Sequence, residues 1–525
     1  MDRVYTSPTL GDVVKYLVDA SGVMPRKARD RSDETEFDEV MAKTYQKRMQ
    51  RLAKEDCDLQ RTMDEMLQLH ADTLSRYIRC PFRATQMSEL LNDLYESYTT
   101  MIKTQGTFMT KANTVRYFLT TYGVDVAVRS LARDWIRFQG YIYASAQPPE
   151  PFWFLPTATD EGLVTPLDKV LTWAYASCGK SLATFHYPVG VDDPAHKLKR
   201  NEKAARSWTS AKRPPSLPVL VKNLNESFGA QAVEGTPIGL ELQKAIVTCA
   251  TIARISTCIA LDIRDTFGHE YLREIIGQTQ LYADWISTEI DEYMANLAGE
   301  VLKQDPDSKL QTRVDLGIKL APFFLALFES KRTWAKELQK PHMDEKGGLP
   351  APVIVRTEAR YGAYAARLHL DIISRWQLDK PADLDTYVAC ALAIKKNPQA
   401  TLNDVNRFCG RADFAEVAER LPWIAHWLRG VACYRTGDYK AASTHYVRAF
   451  EHAKYSAGEM QYLLVNQYLE VMAKNKRWLP FKQGVQWACF IGISIRYLRD
   501  KEPTEENMRD AFGILGLTKI QYTSL

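Results

Sequence analysis

Arg264 and His269 stand five residues apart at the end of an apolar stretch of the chain. An imidazole can transfer a proton, and a guanidinium can hold the charge that develops on a phosphorane. The pair therefore has the parts for metal-independent cleavage of RNA. Gly268 lies between them, and glycine is favoured where a helix stops. The competing reading is an ordinary helix C-terminus with His269 near its negative end. His426, His445 and His452 show no partner by spacing and read as packing or surface groups. Nine cysteines are scattered without a C-x-x-C pair or a Cys/His zinc spacing. There is no phosphate loop, G-x-S-x-G elbow or H-E-x-x-H pair. Cys178-Gly179-Lys180-Ser181 ends like a phosphate loop but lacks the upstream glycine. No cofactor and no metal are expected.

The run Arg264-Asp265-Thr266-Phe267-Gly268-His269 resembles the R-x-x-x-x-H motif of HEPN-type ribonucleases. The resemblance implies Arg264 and His269 as a catalytic pair, completed by a second copy across a dimer.

A second chemistry lies upstream. Residues 197–222 read KLKRNEKAARSWTSAKRPPSLPVLVK, with eight basic side chains against the single acid Glu202. A chain of net charge +4 thus places roughly +7 in one short segment, eight basic side chains less one acid. Lys197, Lys199, Arg200, Lys203, Arg206, Lys212 and Arg213 are the candidates for phosphate contact. A helix carrying Leu198, Ala205 and Trp208 is expected to end at Thr209-Ser210. Ser216 can cap the next helix, which presents Leu217, Val219, Leu220 and Leu224. This order resembles the phage-repressor-like helix-turn-helix family, with Pro166–Pro188 as the source of the earlier helices. The resemblance implies a recognition helix and contact with DNA or RNA. The loop at 188–194 departs from that family's spacing. The alternative is a solvated basic helix and linker.

The elements around these residues are helical. Apolar positions at helical spacing cover Thr9–Ala20, then Phe37–Ile78 as one amphipathic helix or a pair. Further helices are expected over 86–104, 111–143, 241–303 and 312–339. Prolines break the pattern at 147–156, and a Pro- and Gly-rich stretch does so at 340–352. From residue 355 onward the expected helices are 358–376, 383–396, 402–409, 414–434, 439–455, 458–474, 481–499 and 504–515. No segment shows sustained β alternation, so the fold class is all-α.

Within the last third, Trp427–Ala453 carries small residues where two helices must approach, Gly430 and Ala442. Gly437-Asp438 supplies a turn, and Tyr439, Tyr446 and Phe450 are the bulky seam. The stretch resembles a tetratricopeptide repeat, with Gly430, Tyr434, Gly437, Tyr439, Ala442, Tyr446 and Ala449 at or near its signature positions. Arg429 departs from the usual leucine, and no proline follows Ala453. One repeat cannot bury its own face, so neighbours of similar shape are implied.

Length and composition suit several soluble helical domains: 525 residues, 46% hydrophobic and 25% charged. The organisation expected is a helical region at 1–146, a basic helix-turn-helix-like module at 157–230, a central apolar helical domain at 238–340 and a tetratricopeptide-like array at 353–525. The N-terminus has no apolar signal core, and the thiols sit in helical apolar contexts, which together suggest the cytoplasm. The most apolar run, 245–263, holds Arg254 and many Thr, Ser and Cys residues, so it reads as a buried helix rather than a membrane span. The expected function is that of a regulator or sensor. Its array would hold a protein or peptide partner, and its basic module would touch nucleic acid. The alternatives are a HEPN-type ribonuclease effector and a pure assembly scaffold.

Overall fold

The computed structural model describes residues 9–24, 39–54, 59–77, 98–99, 102, 148–150, 152–159, 162–180, 199, 203, 205–210, 214–233, 235, 237–277, 280, 381–499 and 501–517. The helices expected over 111–143, 312–339 and 358–376, and the break at 340–352, lie outside them. Among the described residues the fold is all-α apart from one short hairpin.

Helix α1, Leu10–Ser21, begins at a capping box. Thr9 Oγ1 accepts from the Asp12 N–H at 3.2 Å, and Asp12 returns the bond to the Thr9 N–H at 2.9 Å. The helix ends on Gly22 at φ 64°. The amphipathic stretch after it is a pair of helices, α2 Glu39–Lys54 and α3 Leu59–Tyr77. Tyr45, Leu52, Leu59, Met63, Met66 and Leu74 form their buried stripe. The Tyr45 hydroxyl lies 3.3 Å from both His70 Nδ1 and Thr73 Oγ1 in the same interior. Burial holds His70 at a pKa of about 4, so it is neutral at physiological pH.

Trp153 is buried, with Phe154 edge-on at 5.7 Å, which gives the aromatic run its packing surface. Beyond Pro156 the strands β1, Thr157–Thr159, and β2, Gly162–Val164, pair antiparallel with Thr157 opposite Val164. This hairpin is a small addition to a fold that is otherwise helical, as expected. The β-branched Thr157 and Val164 favour a cross-strand pair. Its inner residues Ala158 and Leu163 cover a small cluster of Ala260, Ile263, Tyr271, Leu272 and Ile276.

The long helix α6, Leu240–Phe267, is the hub of this half. Helices α1, α4 (Pro166–Ser177) and α5 (Leu217–Val233) all pack on it. Thr257 Oγ1 accepts from the Leu167 N–H at 3.0 Å, fixing the start of α4. Arg254, 5% exposed, donates through Nε to the Pro215 carbonyl at 2.9 Å and through Nη1 to the Ala20 carbonyl. One buried cation thus joins the end of α1, where the helix dipole is negative, to the approach to α5. Gly22 leaves the room for it, because a Cβ there would fall 1.9 Å from the guanidinium carbon. Among the described residues α6 is the one helix long and apolar enough to cross a membrane, but 67% of its apolar window is buried inside the protein. It serves as a core helix, which explains why it tolerates Arg254.

The C-terminal helices form packed hairpins. They are α7 Leu384–Lys396, α8 Leu402–Cys409, α9 Ala415–Arg420, α10 Pro422–Arg435, α11 Tyr439–Ala453, α12 Gln461–Lys474, α13 Trp478–Ile491 and α14 Glu505–Leu517. The expected helix over 414–434 is broken: Pro422 opens α10 at its first turn and Leu421 leaves helical geometry before it. The expected helix over 481–499 stops at Ile491, because Gly492 takes the left-handed conformation at φ 71°. Helix α13 also packs against α3 of the N-terminal half.

Candidate functional site

The crossing of α10 and α11 is built from the residues the sequence singled out. A Cβ on Gly430 would stand 2.7 Å from the Tyr446 ring, so only glycine lets the helices meet this closely. Ala442, Tyr446, Ala449 and Phe450 are fully buried in the seam. Gly437 turns the chain at φ 80°, and Asp438 caps α11 by accepting from the Ala441 N–H at 2.9 Å. Tyr439 does not fill the seam. It is 42% exposed and sits edge-on to Tyr434, with Lys474 Nζ 5.9 Å above its ring. It is the first residue of its helix, so it lies at the turn end rather than along the packed face.

The next hairpin repeats the device with the roles exchanged. Gly484 on α13 meets Tyr468 on α12, where a Cβ would again fall 2.7 Å from the ring. The two hairpins are offset by 39 residues at both helix starts, Pro422 to Gln461 and Tyr439 to Trp478. Their three-residue turns share a positive φ at the middle position, Gly437 at 80° and Lys476 at 56°. Two buried glutamines stitch the array. Gln467 Oε1 accepts from Trp427 Nε1 at 2.8 Å and from the Tyr446 hydroxyl at 3.1 Å. Gln461 accepts from Trp487 Nε1 at 2.9 Å and donates to the Ile102 carbonyl at 2.8 Å.

Of the basic stretch, Lys199, Lys203 and Arg206 are exposed, while Lys197, Arg200, Lys212 and Arg213 lie outside the described residues. The helical segment at 205–209 is pinned by Trp208, 7% exposed, and ends at Ser210 as the sequence indicates. Helix α5 then buries Leu217, Leu220, Leu224 and Phe228.

Arg264 and His269 fall on either side of a break. Helix α6 ends at Phe267, Gly268 takes φ 95°, and His269 opens a separate helical segment, 269–277. Arg264 is held by Asp265, with Nη2 2.7 Å from Oδ1. The turn removes the shared helical face that would have aligned the two side chains. Burial raises the thiol pKa of Cys409 and Cys433 and pushes that of Cys178 up to about 11, so all three are protonated at neutral pH.

One cluster was not assembled by sequence reasoning. His426 and Arg429 on α10 meet His445, Arg448 and His452 on α11. The His426 ring lies 6.2 Å from His445 and 5.9 Å from His452, near-parallel to the latter at 6°. The i, i+3 and i, i+7 spacings were visible, but the two helices had to be paired before the sets met. The chain matches no protein family, no curated protein and no solved structure.

Proposed function

We propose that this protein is a cytoplasmic regulator that works by binding. Its C-terminal hairpins form a tetratricopeptide-like array for a protein or peptide partner, and its basic stretch contacts nucleic acid. The 39-residue offset of two like hairpins carries the first half of the reading. It exceeds the roughly 34-residue tetratricopeptide period, and the excess lies in the long connector at 454–460. The turn end between the hairpins offers a contact surface. Tyr439 and Leu479 are 42% and 64% exposed there, Asn475 ties the two hairpins by donating to the Tyr439 carbonyl, and Lys474 adds a cation. Aromatic, aliphatic and cationic groups together suit a peptide with an apolar anchor beside an acid.

A displayed peptide library selected on the full chain is expected to yield binders that are lost on Leu479→Asp or Tyr439→Asp. Binders indifferent to both substitutions, or no enrichment at all, overturn this half. For the second half, Lys199→Gln, Lys203→Gln and Arg206→Gln together are expected to weaken binding of a single-stranded oligonucleotide. The slope of log affinity against log salt should fall by about 0.7 for each phosphate deprived of its cation. Unchanged affinity and slope make the stretch a solvated surface and the protein a scaffold.

A further inference from the structure

We propose that the outer face of the α10–α11 hairpin is a binding site for a compact phosphate group, a phosphate monoester or pyrophosphate, held by Arg429, Arg448, His426, His445 and His452. The charges acting on the face are of one sign. Those felt by His426 are His452, Arg429, His445 and Arg448; those felt by His445 are the two arginines. Arg448 is exposed and has no ion pair among the described residues. Arg429 spends its Nε on the neutral Asn406, 3.0 Å away, with Cys409 and Tyr387 nearby on α8 and α7. Of the acids on the packed elements, Asp404 is in the cap of α8, Glu416 pairs with Arg420 and Glu451 with Lys454, while Glu419 on α9 is exposed. Two of the imidazoles also bring a buried ring nitrogen each, Nδ1 of His426 and of His445, with no partner among the described residues.

Two guanidiniums on one face of the hairpin, with three imidazoles beside them, favour an anion. Two guanidiniums supply forked donors matched to phosphoryl oxygens, and imidazoles become donors when protonated. A cation is the wrong ligand. The arginines oppose it, and no group of three His, Cys, Asp or Glu side chains among the described residues is arranged to hold a metal ion. Size argues for a compact anion. His445 to His452 spans about 10 Å at 1.5 Å per residue, room for one or two phosphate groups rather than a long backbone.

The sign of the coupling follows from the free site. His426 is held at about 4 by burial first and by the neighbouring cations second, and His445 is lowered for the same reasons. A bound dianion reverses the second cause, so phosphate and proton favour each other's binding. For a ligand of fixed charge, affinity therefore rises as pH falls from 5.5 toward 4, where His426 titrates.

The test uses the full chain with inorganic pyrophosphate, following histidine C2 protons by NMR and affinity by calorimetry at pH 5.5 and 4.5, where the ligand stays a dianion. The expected result is an upward shift of the His426 titration by about one unit from its value of about 4, with His445 moving the same way, which on that shift makes binding about two- to threefold tighter at the lower pH. Arg448→Gln, at an exposed position, should retain the fold and lose most of the affinity, and His426→Asn should flatten the pH dependence. Titrations that do not move, or that move equally in Arg448→Gln, overturn the proposal. So does an equal effect of sodium chloride at matched ionic strength, which would be screening alone. An unphosphorylated oligonucleotide bound through the same residues as tightly as pyrophosphate would also overturn it, in favour of an extended polyanion.

Discussion

A glycine-to-alanine change has opposite signs at different places in this chain, and the neighbours decide which. At Gly430 and Gly484 the added methyl would press on Tyr446 and Tyr468 at 2.7 Å. Each substitution should destabilise by about 1–3 kcal/mol through overpacking. Gly513 lies within α14 with nothing within 4 Å of a Cβ. There alanine should stabilise by about 0.5–1 kcal/mol, because the unfolded chain loses freedom and helix propensity improves. Urea midpoints of the three single variants measure the contrast, and a uniform sign would contradict it. At Arg254, replacement by Met keeps the bulk but leaves the Ala20 and Pro215 carbonyls without their donor. A loss of about 2–3 kcal/mol is expected in the same assay. Gly430 was legible in the sequence because a small residue faced bulky ones at helical spacing. Gly484 was not, since its tyrosine precedes it on the other helix of the pair. Arg254 was read as an argument against a membrane span, but its acceptors lie on segments far away in sequence.

Among elements, the hairpins depend on polar bonds as well as on shape. Gln467→Leu would strand the Trp427 N–H and the Tyr446 hydroxyl in a dry seam. The expected cost is about 2–4 kcal/mol. In a background of Trp427→Phe and Tyr446→Phe the same change should cost much less, and the difference is the coupling energy. Equal costs in both backgrounds would mean that the glutamine acts through packing alone. Element limits were readable where the signal is local. The box of Thr401 and Asp404 opens α8, and Asp438 caps α11. Pro422 carried a start signal as clear as these, yet the apolar run around it masks the boundary. Gly492 was masked in the same way by the apolar residues on either side. The cationic histidine face was invisible at this scale, because no single helix contains it.

For the molecule as a whole, buried histidines set the response to acid. His70 titrates at about 4 in the folded state against 6.5 ordinarily. Between those values the unfolded chain takes up a proton that the folded chain refuses, so stability falls as pH falls through 6.5 toward 4. From His70 alone the loss at pH 5 is about 2 kcal/mol. His426 adds in the same direction, by less because it is partly exposed. The carboxylates with lowered pKa, Asp404, Asp413 and Glu505, weaken the fold only at lower pH. The drop in urea midpoint from pH 7 to pH 5 draws on His70, so His70→Gln should shrink it, while Asp168, whose carboxyl pKa burial raises, acts in the opposite sense. A drop of the same size in that variant would place its origin elsewhere. The bond from Gln461 to the Ile102 carbonyl, and the seat of α13 on α3, join residues more than 350 positions apart. During synthesis the early helices leave the ribosome long before their partners exist. Their apolar stripe must wait in an unfinished state until the last hairpins arrive, so a stop codon placed before Gln461 should yield a product that holdase chaperones retain and proteases clear.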